Sequence, residues 1–319
     1  MKTQLDNTQV SKHLGQRSEY KTEYDRRLLV REPRQSNRTH LDISDNNPPF
    51  VGYDVWNAYE VSGLTTKGVP VTGYAKIRYP CTNEYIVESK SLKLYFNSFN
   101  MSQLGETADK VRSAIESFAS RDLSKLLETN VQVTVFPCST YQSVLELPRY
   151  RGCLDEHYFK KYVTLEDVVD TSEVDCDKYT EDPDLLEIES VDPGEDGFGT
   201  MQLYHSSLLK SNCRVTGQPD WGDVYILMKS HALVDTTSLL KYIVSFRDEC
   251  HFHEEICETM YKRLSDAFTP TDLCVSCLYV RRGGIDINPV RASRTPLIIA
   301  GDVRHLVSME SPFIKTSRQ

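Results

Sequence analysis

The sequence lacks any apolar run near the roughly 20 residues that a bilayer-spanning helix needs, which argues against an integral membrane protein. Its opening residues, MKTQLDNTQVSKHLG, hold no apolar core of a secretory leader, so secretion is not expected. Cysteine is neither dense nor even in number. The nine cysteines are scattered from Cys81 to Cys277, which speaks against a disulfide framework and for a reducing cytoplasm. In that setting most are small buried hydrophobes and one can be reactive. Basic residues are short too: 37 Lys and Arg stand against 46 Asp and Glu, a net charge of −9 that does not suit gripping a phosphate backbone. No G-x-G-x-x-G is present, since Gly197-Phe198-Gly199 has Gln202 where the third glycine belongs, so a dinucleotide would have to be held without a Rossmann domain. Cys274-Val275-Ser276-Cys277 has no second pair to complete a zinc site and falls in an expected strand, so no metal is expected.

What is present is 319 residues, enough for one large domain or two ordinary ones. The hydrophobic share of 39% points to a lean core with polar chain around it. The acid is concentrated. Between Glu166 and Asp196 stand 14 acidic residues and one lysine, so the remainder carries a small positive balance. That stretch reads as a solvated connector, with a docking site for a basic partner as the unfavoured alternative. The first 48 residues read as a polar arm or short peripheral elements, and the tail after Met309 reads likewise.

A faint duplication organises the rest. Ser91–Phe99 (SLKLYFNSF) lies on Ser238–Phe246 (SLLKYIVSF) with five of nine residues identical at an offset of 147. The same offset carries ETADKVRSAIESF onto HEEICETMYKRLS, and NVQVTVFP onto CLYVRRGG. Each half reads strand, strand, helix, helix, strand. GVPVTGYAKIRYP and DVYILMKSHALVD look like hairpins. Ile256, Met260 and Leu264 repeat as one helix face, closed by Pro270. The expectation is an α+β layer fold, an antiparallel sheet with two helices on one face in each half and open edges that association could cover.

Four stretches could carry chemistry. Ser211–Gly222 (SNCRVTGQPDWG) puts Cys213 seven residues before Asp220, with turn formers between that can bring thiol and carboxyl together. A thiolate nucleophile beside a proton donor results, although Cys213 taken alone is also compatible with a structural role. Phe252-His253-Glu254 opens an expected helix. It reads either as a buried, satisfied histidine or as a His253–Glu254 pair that binds ring N–H groups. Glu88-Ser89-Lys90 precedes Lys93 on one helical side, which suits a solvated helix start or a carboxylate next to a Ser–Lys phosphate grip. Arg281-Arg282-Gly283-Gly284 joins charge to exposed backbone N–H groups, as a phosphate site or a charged turn would.

Taken in order, ESKSLKLYFNSF, SNCRVTGQPDWG, FHE and RRGGIDINP strongly resemble the 7-cyano-7-deazaguanine reductases, the NADPH-dependent nitrile reductases of queuosine biosynthesis, in their long two-domain form. The resemblance covers about 50–100 and 201–294 and is thin over the arm, the tail and the acidic middle. It implies tandem tunnelling-fold domains at 49–163 and 201–319, joined by an acidic connector at 164–200 and preceded by an arm at 1–48. It implies a cytoplasmic homodimer that acts on a small molecule, 7-cyano-7-deazaguanine, without direct contact to nucleic acid or membrane. It implies that Cys213 adds to the nitrile carbon to give a thioimide and that Asp220 donates the proton. Val87, Glu88, Ser89, His253 and Glu254 would bind the base, and Ser89, Lys90, Arg282 and Gly283 would hold NADPH. At the 147 offset Cys213 falls opposite Thr66 and Glu254 opposite Thr107, so one complete site would need both halves. The rivals are an amidinotransferase-like enzyme of the same fold, a cyclohydrolase-type zinc hydrolase and a catalytically silent binding protein. The zinc hydrolase would need a ligand set that cannot be assembled around Cys213.

Overall fold

The computed structural model describes residues 23–45, 47–138, 161–195, 197–310 and 319. In chain order its strands are β1 (Arg31–Pro33), β2 (Val51–Thr65), β3 (Pro70–Pro80), β4 (Tyr85–Val87), β5 (Gln103–Gly105), β6 (Gln132–Pro137), β7 (Val163–Thr164), β8 (Ile188–Val191), β9 (Thr200–Ser206), β10 (Lys210–Cys213), β11 (Pro219–Ser230), β12 (Ala232–Val234), β13 (Cys250–His251), β14 (Asp272–Tyr279) and β15 (Ile285–Ala292). Six of its helices are α1 (Gln35–His40), α2 (Ser89–Asn97), α3 (Ala108–Leu127), α4 (Leu165–Val168), α5 (Thr236–Ser245) and α6 (His253–Phe268).

The fold is α+β. A largely antiparallel sheet runs β10-β11-β14-β15-β2-β3-β6, with β9 against the rest of β11. Its strands alternate with period two, as a sheet covered on both faces must. On β14, Val275, Cys277 and Tyr279 meet one apolar cluster, while Cys274 and Leu278 meet another on the reverse face. The two cysteines of the C-x-x-C therefore point to opposite sides of the sheet. Helices α2 and α3 pack with Trp56, Ala58, Ile77 and Ile287, and α5 and α6 pack with Val224, Ile226 and Val275. Ile298, Val303, Leu306 and Val307 cover the reverse face.

The two halves join where β15 pairs with β2, from Ile285↔Ala58 to Ala292↔Val51. At this seam, under α6, lies a buried ion network. Asp54 of β2 pairs with Arg34, and with Arg291 at 2.8 Å. Glu258 of α6 meets Arg291 and Arg38, both at 2.9 Å, and Arg34 at 3.5 Å. Burial alone would push both carboxyls up; Arg291 chief among the guanidiniums, with Arg34 for Asp54 and Arg38 for Glu258, holds them below their ordinary range.

Several expectations change here. Residues 1–22 lie outside the described residues, but from Leu29 onward the expected arm is built into the core: β1 pairs with β4, Arg34 and Arg38 are buried, and Leu41, Ile43 and Phe50 join the apolar cluster under α6. The acidic stretch is not simply solvated. Leu165 and Val169 are buried, Val174, Leu185 and Leu186 pack on the same cluster, and Glu181 pairs with Arg263 of α6 at 3.1 Å. A few apolar residues, spread thinly and irregularly among the acids, let the segment cross the helix layer as a strap. GVPVTGYAKIRYP is the single strand β3 hairpinned to β2, not a hairpin in itself, and DVYILMKSHALVD bends once, at His231, between β11 and β12. The third repeated element is also displaced. The strand equivalent to β6 is β14, not residues 277–284, because α6 has 16 residues where α3 has 20. Of the tail after Met309, all but Glu310 and Gln319 lies outside the described residues.

Removing Glu258 leaves three buried guanidiniums facing one buried carboxylate, Asp54, and the partly exposed Asp45. Glu258→Gln is expected to lose about 3–5 kcal/mol of unfolding free energy in urea titrations. Lys262→Ala, which breaks the exposed Lys262–Asp266 pair on the same helix, should lose less than about 1 kcal/mol. Equal effects would show that the network is not under strain to be paired.

Candidate active site

The sequence folds each candidate side chain into place by local chemistry. β10 ends at Cys213, whose N–H donates to the Gln218 carbonyl at 2.8 Å while Gly217 N–H returns to the Cys213 carbonyl at 2.8 Å. Gly217 takes φ +64°, a left-handed conformation that glycine adopts without strain, and the turn closes there. β11 then runs back with Ser211 opposite Asp220, which puts thiol and carboxyl at one end of neighbouring strands.

α6 starts at His253 because Glu255 satisfies the chain just before it. Its Oε2 accepts from Phe252 N–H at 2.9 Å and its Oε1 accepts from Arg214 at 2.9 Å. His253 stacks on Tyr279, with ring centroids 3.9 Å apart and 21° between planes, and its Nε2 lies 3.4 Å from Asp220 Oδ2. Its Nδ1 is buried without a protein partner, and so is Glu254 Oε1. Glu254 is buried beside the ion network, one helical turn from Glu258. Desolvation first, and the nearby Asp54 charge second, push its carboxyl up to about 8.

Asp220 is driven the other way. Burial raises it, but the His253 ring and the Arg282 guanidinium bonded to it bring it below the ordinary carboxylate range. Arg282 also donates to Gln218 at 2.6 Å and reaches the Cys213 side chain. It is presented by a two-residue turn, Gly283-Gly284, at φ +58° and +79°, closed by mutual Arg282 and Ile285 backbone bonds. In the first half, Glu88 caps α2. Its carboxylate accepts from Lys90 N–H at 2.9 Å and Ser91 N–H at 2.6 Å, which aims Ser89 and Lys90 outward. Lys93 pairs with Glu60 at 3.2 Å.

All ten residues singled out from the sequence, Val87, Glu88, Ser89, Lys90, Cys213, Asp220, His253, Glu254, Arg282 and Gly283, line one cavity of about 680 Å³. Trp56, Ile86, Ile285 and Ile287 add an apolar wall. Two features bear on the expected roles. Asp220, expected to donate a proton, is held as a carboxylate. Arg282, expected on a cofactor, is paired with Asp220. Sequence reasoning missed Trp56, the Arg34–Asp54–Arg291 support behind Glu254, and His251, which is clamped between Glu249 at 3.0 Å and Glu255 at 3.2 Å and raised to about 9 by them against its burial. The only local signal for His251 was its place two residues before His253.

Residues 20–135 match the family described as "Nitrile reductase, 7-cyano-7-deazaguanine-reductase N-term", and residues 219–296 match "QueF-like protein". The NADPH-dependent 7-cyano-7-deazaguanine reductase of Colwellia psychrerythraea is 36% identical and spans 98% of both chains. The chain belongs to the 7-cyano-7-deazaguanine reductase family. The reductases of the same name from Dechloromonas aromatica and Legionella pneumophila are 40% and 37% identical, over 88% and 92% of this chain and 89% and 93% of their own. The two family matches divide the cavity. The first carries Glu88, Ser89 and Lys90, the second carries Asp220, His253, Glu254, Arg282 and Gly283, and Cys213 lies between them within the span of the full-length reductases.

The raised Glu254 carboxyl links stability to pH. The folded chain holds this proton above the ordinary 4.5, so the contribution is full below 4.5 and is lost as pH rises through about 8. The unfolding free energy of wild type should therefore fall relative to Glu254→Gln across that window. Parallel curves for the two proteins would mean that Glu254 is not protonated in the folded site.

Proposed function

We propose that the protein reduces the nitrile of 7-cyano-7-deazaguanine to the primary amine of 7-aminomethyl-7-deazaguanine, with two NADPH, in queuosine biosynthesis. The observation that carries this reading is the single cavity lined at once by Cys213, by the carboxyls of Asp220 and Glu254 and the His253 imidazole, and by Lys90 and Arg282.

A free nitrile is a poor hydride acceptor. Addition of the Cys213 sulfur to the nitrile carbon turns C≡N into a C=N that accepts hydride once protonated. The thiol proton needs a place to go, and an ionised Asp220 suits it. The carboxylate takes the proton as the S–C bond forms and returns it to the nitrogen, so the thioimide is made with no net change of charge. The bases offered by His253 and Glu254 have their unpartnered atoms buried at the cavity, where a deazapurine's ring N–H groups would fill them. Glu88 would help by fixing the Val87–Ser89 backbone, since both its oxygens are taken by α2. The apolar wall of Trp56, Ile86 and Ile287 keeps water from an imine held between the two reductions.

The residues present fit NADPH. Lys90, Lys93 and Arg282 bring positive charge to the cavity, and a side chain at Gly283 would occupy the space against Lys93, with a Cβ 3.5 Å from its Cδ. When bound, NADPH supplies the hydride for each reduction. The proposal extends to two tunnelling-fold units at 49–163 and 201–319 around the 164–200 segment, supported by the repeated pairs α2–α3 and α5–α6. It extends also to a homodimer, in which a second copy covers edges such as β6, paired on one side only among the described residues. No helix among the described residues is long and apolar enough to cross a membrane.

Wild type mixed with 7-cyano-7-deazaguanine in the absence of NADPH should gain the mass of the nitrile, and Cys213→Ala should not. Added NADPH should discharge the adduct as amine, with two NADPH oxidised per amine. An unmodified wild type would end the reading. Lys90→Ala should raise KM for NADPH about tenfold, as loss of one charged contact does, with base affinity unchanged. An unaltered KM would remove Lys90 from the cofactor's contacts.

A further inference from the structure

The resemblance assigns Arg282 to the cofactor, but its contacts lie on the reacting groups. One arm of its guanidinium is on Asp220 Oδ1, the other is on Gln218 Oε1 at 2.6 Å, and the Cys213 side chain is within its reach. Asp220 is buried, whereas about a third of the Arg282 side chain is exposed at the cavity mouth. The neighbouring Arg281 is anchored, its guanidinium stacked 3.8 Å over the Tyr59 ring. Arg282 is followed by two glycines that tolerate a change of backbone angle. It is thus a cation placed to turn between the interior of the cavity and its mouth.

The chemistry asks opposite things of Asp220 at different times. While the S–C bond forms, it must accept the thiol proton. While the C=N is reduced, it must carry a proton to nitrogen. A guanidinium on a buried carboxylate favours the first state, and its withdrawal favours the second. We propose that Arg282 is a catalytic residue that serves both steps. It sits on Asp220 and Cys213 while the thioimide forms, then moves to a cofactor phosphate, leaving Asp220 as the acid for reduction. In the first step the S–H proton passes to Asp220, sulfur bonds to carbon, one C≡N π pair moves to nitrogen, and nitrogen takes the proton from Asp220. In the second, Asp220 takes a proton from solvent and delivers it to nitrogen as carbon receives hydride; the C–S bond then breaks with its pair returning to sulfur, which takes back a proton from nitrogen, and the freed imine accepts the second hydride and proton. The inference rests on the nitrile-reductase reading.

The test needs no turnover. Of the titratable and charged groups around Cys213, Arg282 reaches its side chain, His251 is its cross-strand partner, Cys250 is electrostatically close, and Asp220 and His253 line the same cavity. In a Cys250→Ser background, the rate of Cys213 alkylation by iodoacetamide is followed against pH, with the site confirmed by peptide mass. Arg282→Gln should slow both Cys213 alkylation and adduct formation with 7-cyano-7-deazaguanine about tenfold at pH 7, without any cofactor. Arg282→Lys, which keeps the charge and guards against a fold defect in the first variant, should recover part of both. Adenosine 2′,5′-bisphosphate, which offers phosphates but no hydride, should slow adduct formation in wild type and not in Arg282→Gln. If Arg282→Gln alkylates and forms the adduct as wild type does, Arg282 serves the cofactor alone and the proposal falls. If wild type forms no adduct, the function reading itself fails, while the alkylation profile still decides whether Arg282 acts on the thiol.

Discussion

Three buried arginines, Arg34, Arg38 and Arg291, share two carboxylates, Asp54 and Glu258, at the joint between the halves, and the site depends on that arrangement. None of these charges could be left alone in the interior, because an unpaired buried ion carries a penalty of several kcal/mol. The pairing therefore fixes relative positions that apolar packing alone would leave free to slide. It ties α6 to β15 and β2 through Glu258 and Arg291, and it draws the segment around Arg34 and Arg38 under the same helix. Two consequences reach the cavity directly. Glu254 is one turn from Glu258, so the depth of α6 sets the depth of Glu254. Trp56 is two residues from Asp54 on the same face of β2, so the anchored strand also sets the apolar wall.

The duplication explains why the cavity lies at this joint. The first half contributes a helix start, Glu88-Ser89-Lys90, and the second contributes the thiol hairpin, the start of α6 and the Arg282 turn. The first half has no cysteine at the end of β2 and no His-Glu pair at the start of α3, so neither half carries the full set. The sheet then does the assembling. Pairing β15 with β2 sets Ile285 and Ile287 beside Ala58 and Trp56, and side chains from both halves converge across that seam.

What could be read from the sequence was local. A Thr-Gly turn between Cys213 and Asp220, a carboxylate at the start of α2 and a double glycine after Arg282 each act through neighbours within a few residues, and each does in the fold what its chemistry suggests. What could not be read was non-local. Arg38 and Glu258 are 220 residues apart, and nothing around Arg38 distinguishes it from a solvated arginine. The acidic segment misled for a related reason. Its charge dominates its composition, while a few spaced residues such as Leu185 and Leu186 determine where it packs. The register of the third repeat failed because an offset assumes equal element lengths, and α6 is a turn shorter than α3.

Two of the three buried carboxyls of the cavity, Asp220 and Glu254, are pushed in opposite directions, and such a split separates base from acid in one site. Asp220 faces a guanidinium and an imidazole and stays ionised. Glu254 faces Asp54 more strongly than it faces Arg34 or Arg291, and it keeps its proton near neutral pH. The three guanidiniums of the network behind it already face three carboxylates, Asp54, Glu258 and the partly exposed Asp45 at 3.1 Å from Arg38, so an ionised Glu254 would add an excess negative charge there. On the proposed reaction, a base that offers ring N–H groups favours the ionised form, and its binding would release the Glu254 proton. Substrate binding would then have to supply the compensation that the balanced network does not. That gives a physical reason for the carboxyl in front of the network to keep its proton until the base arrives.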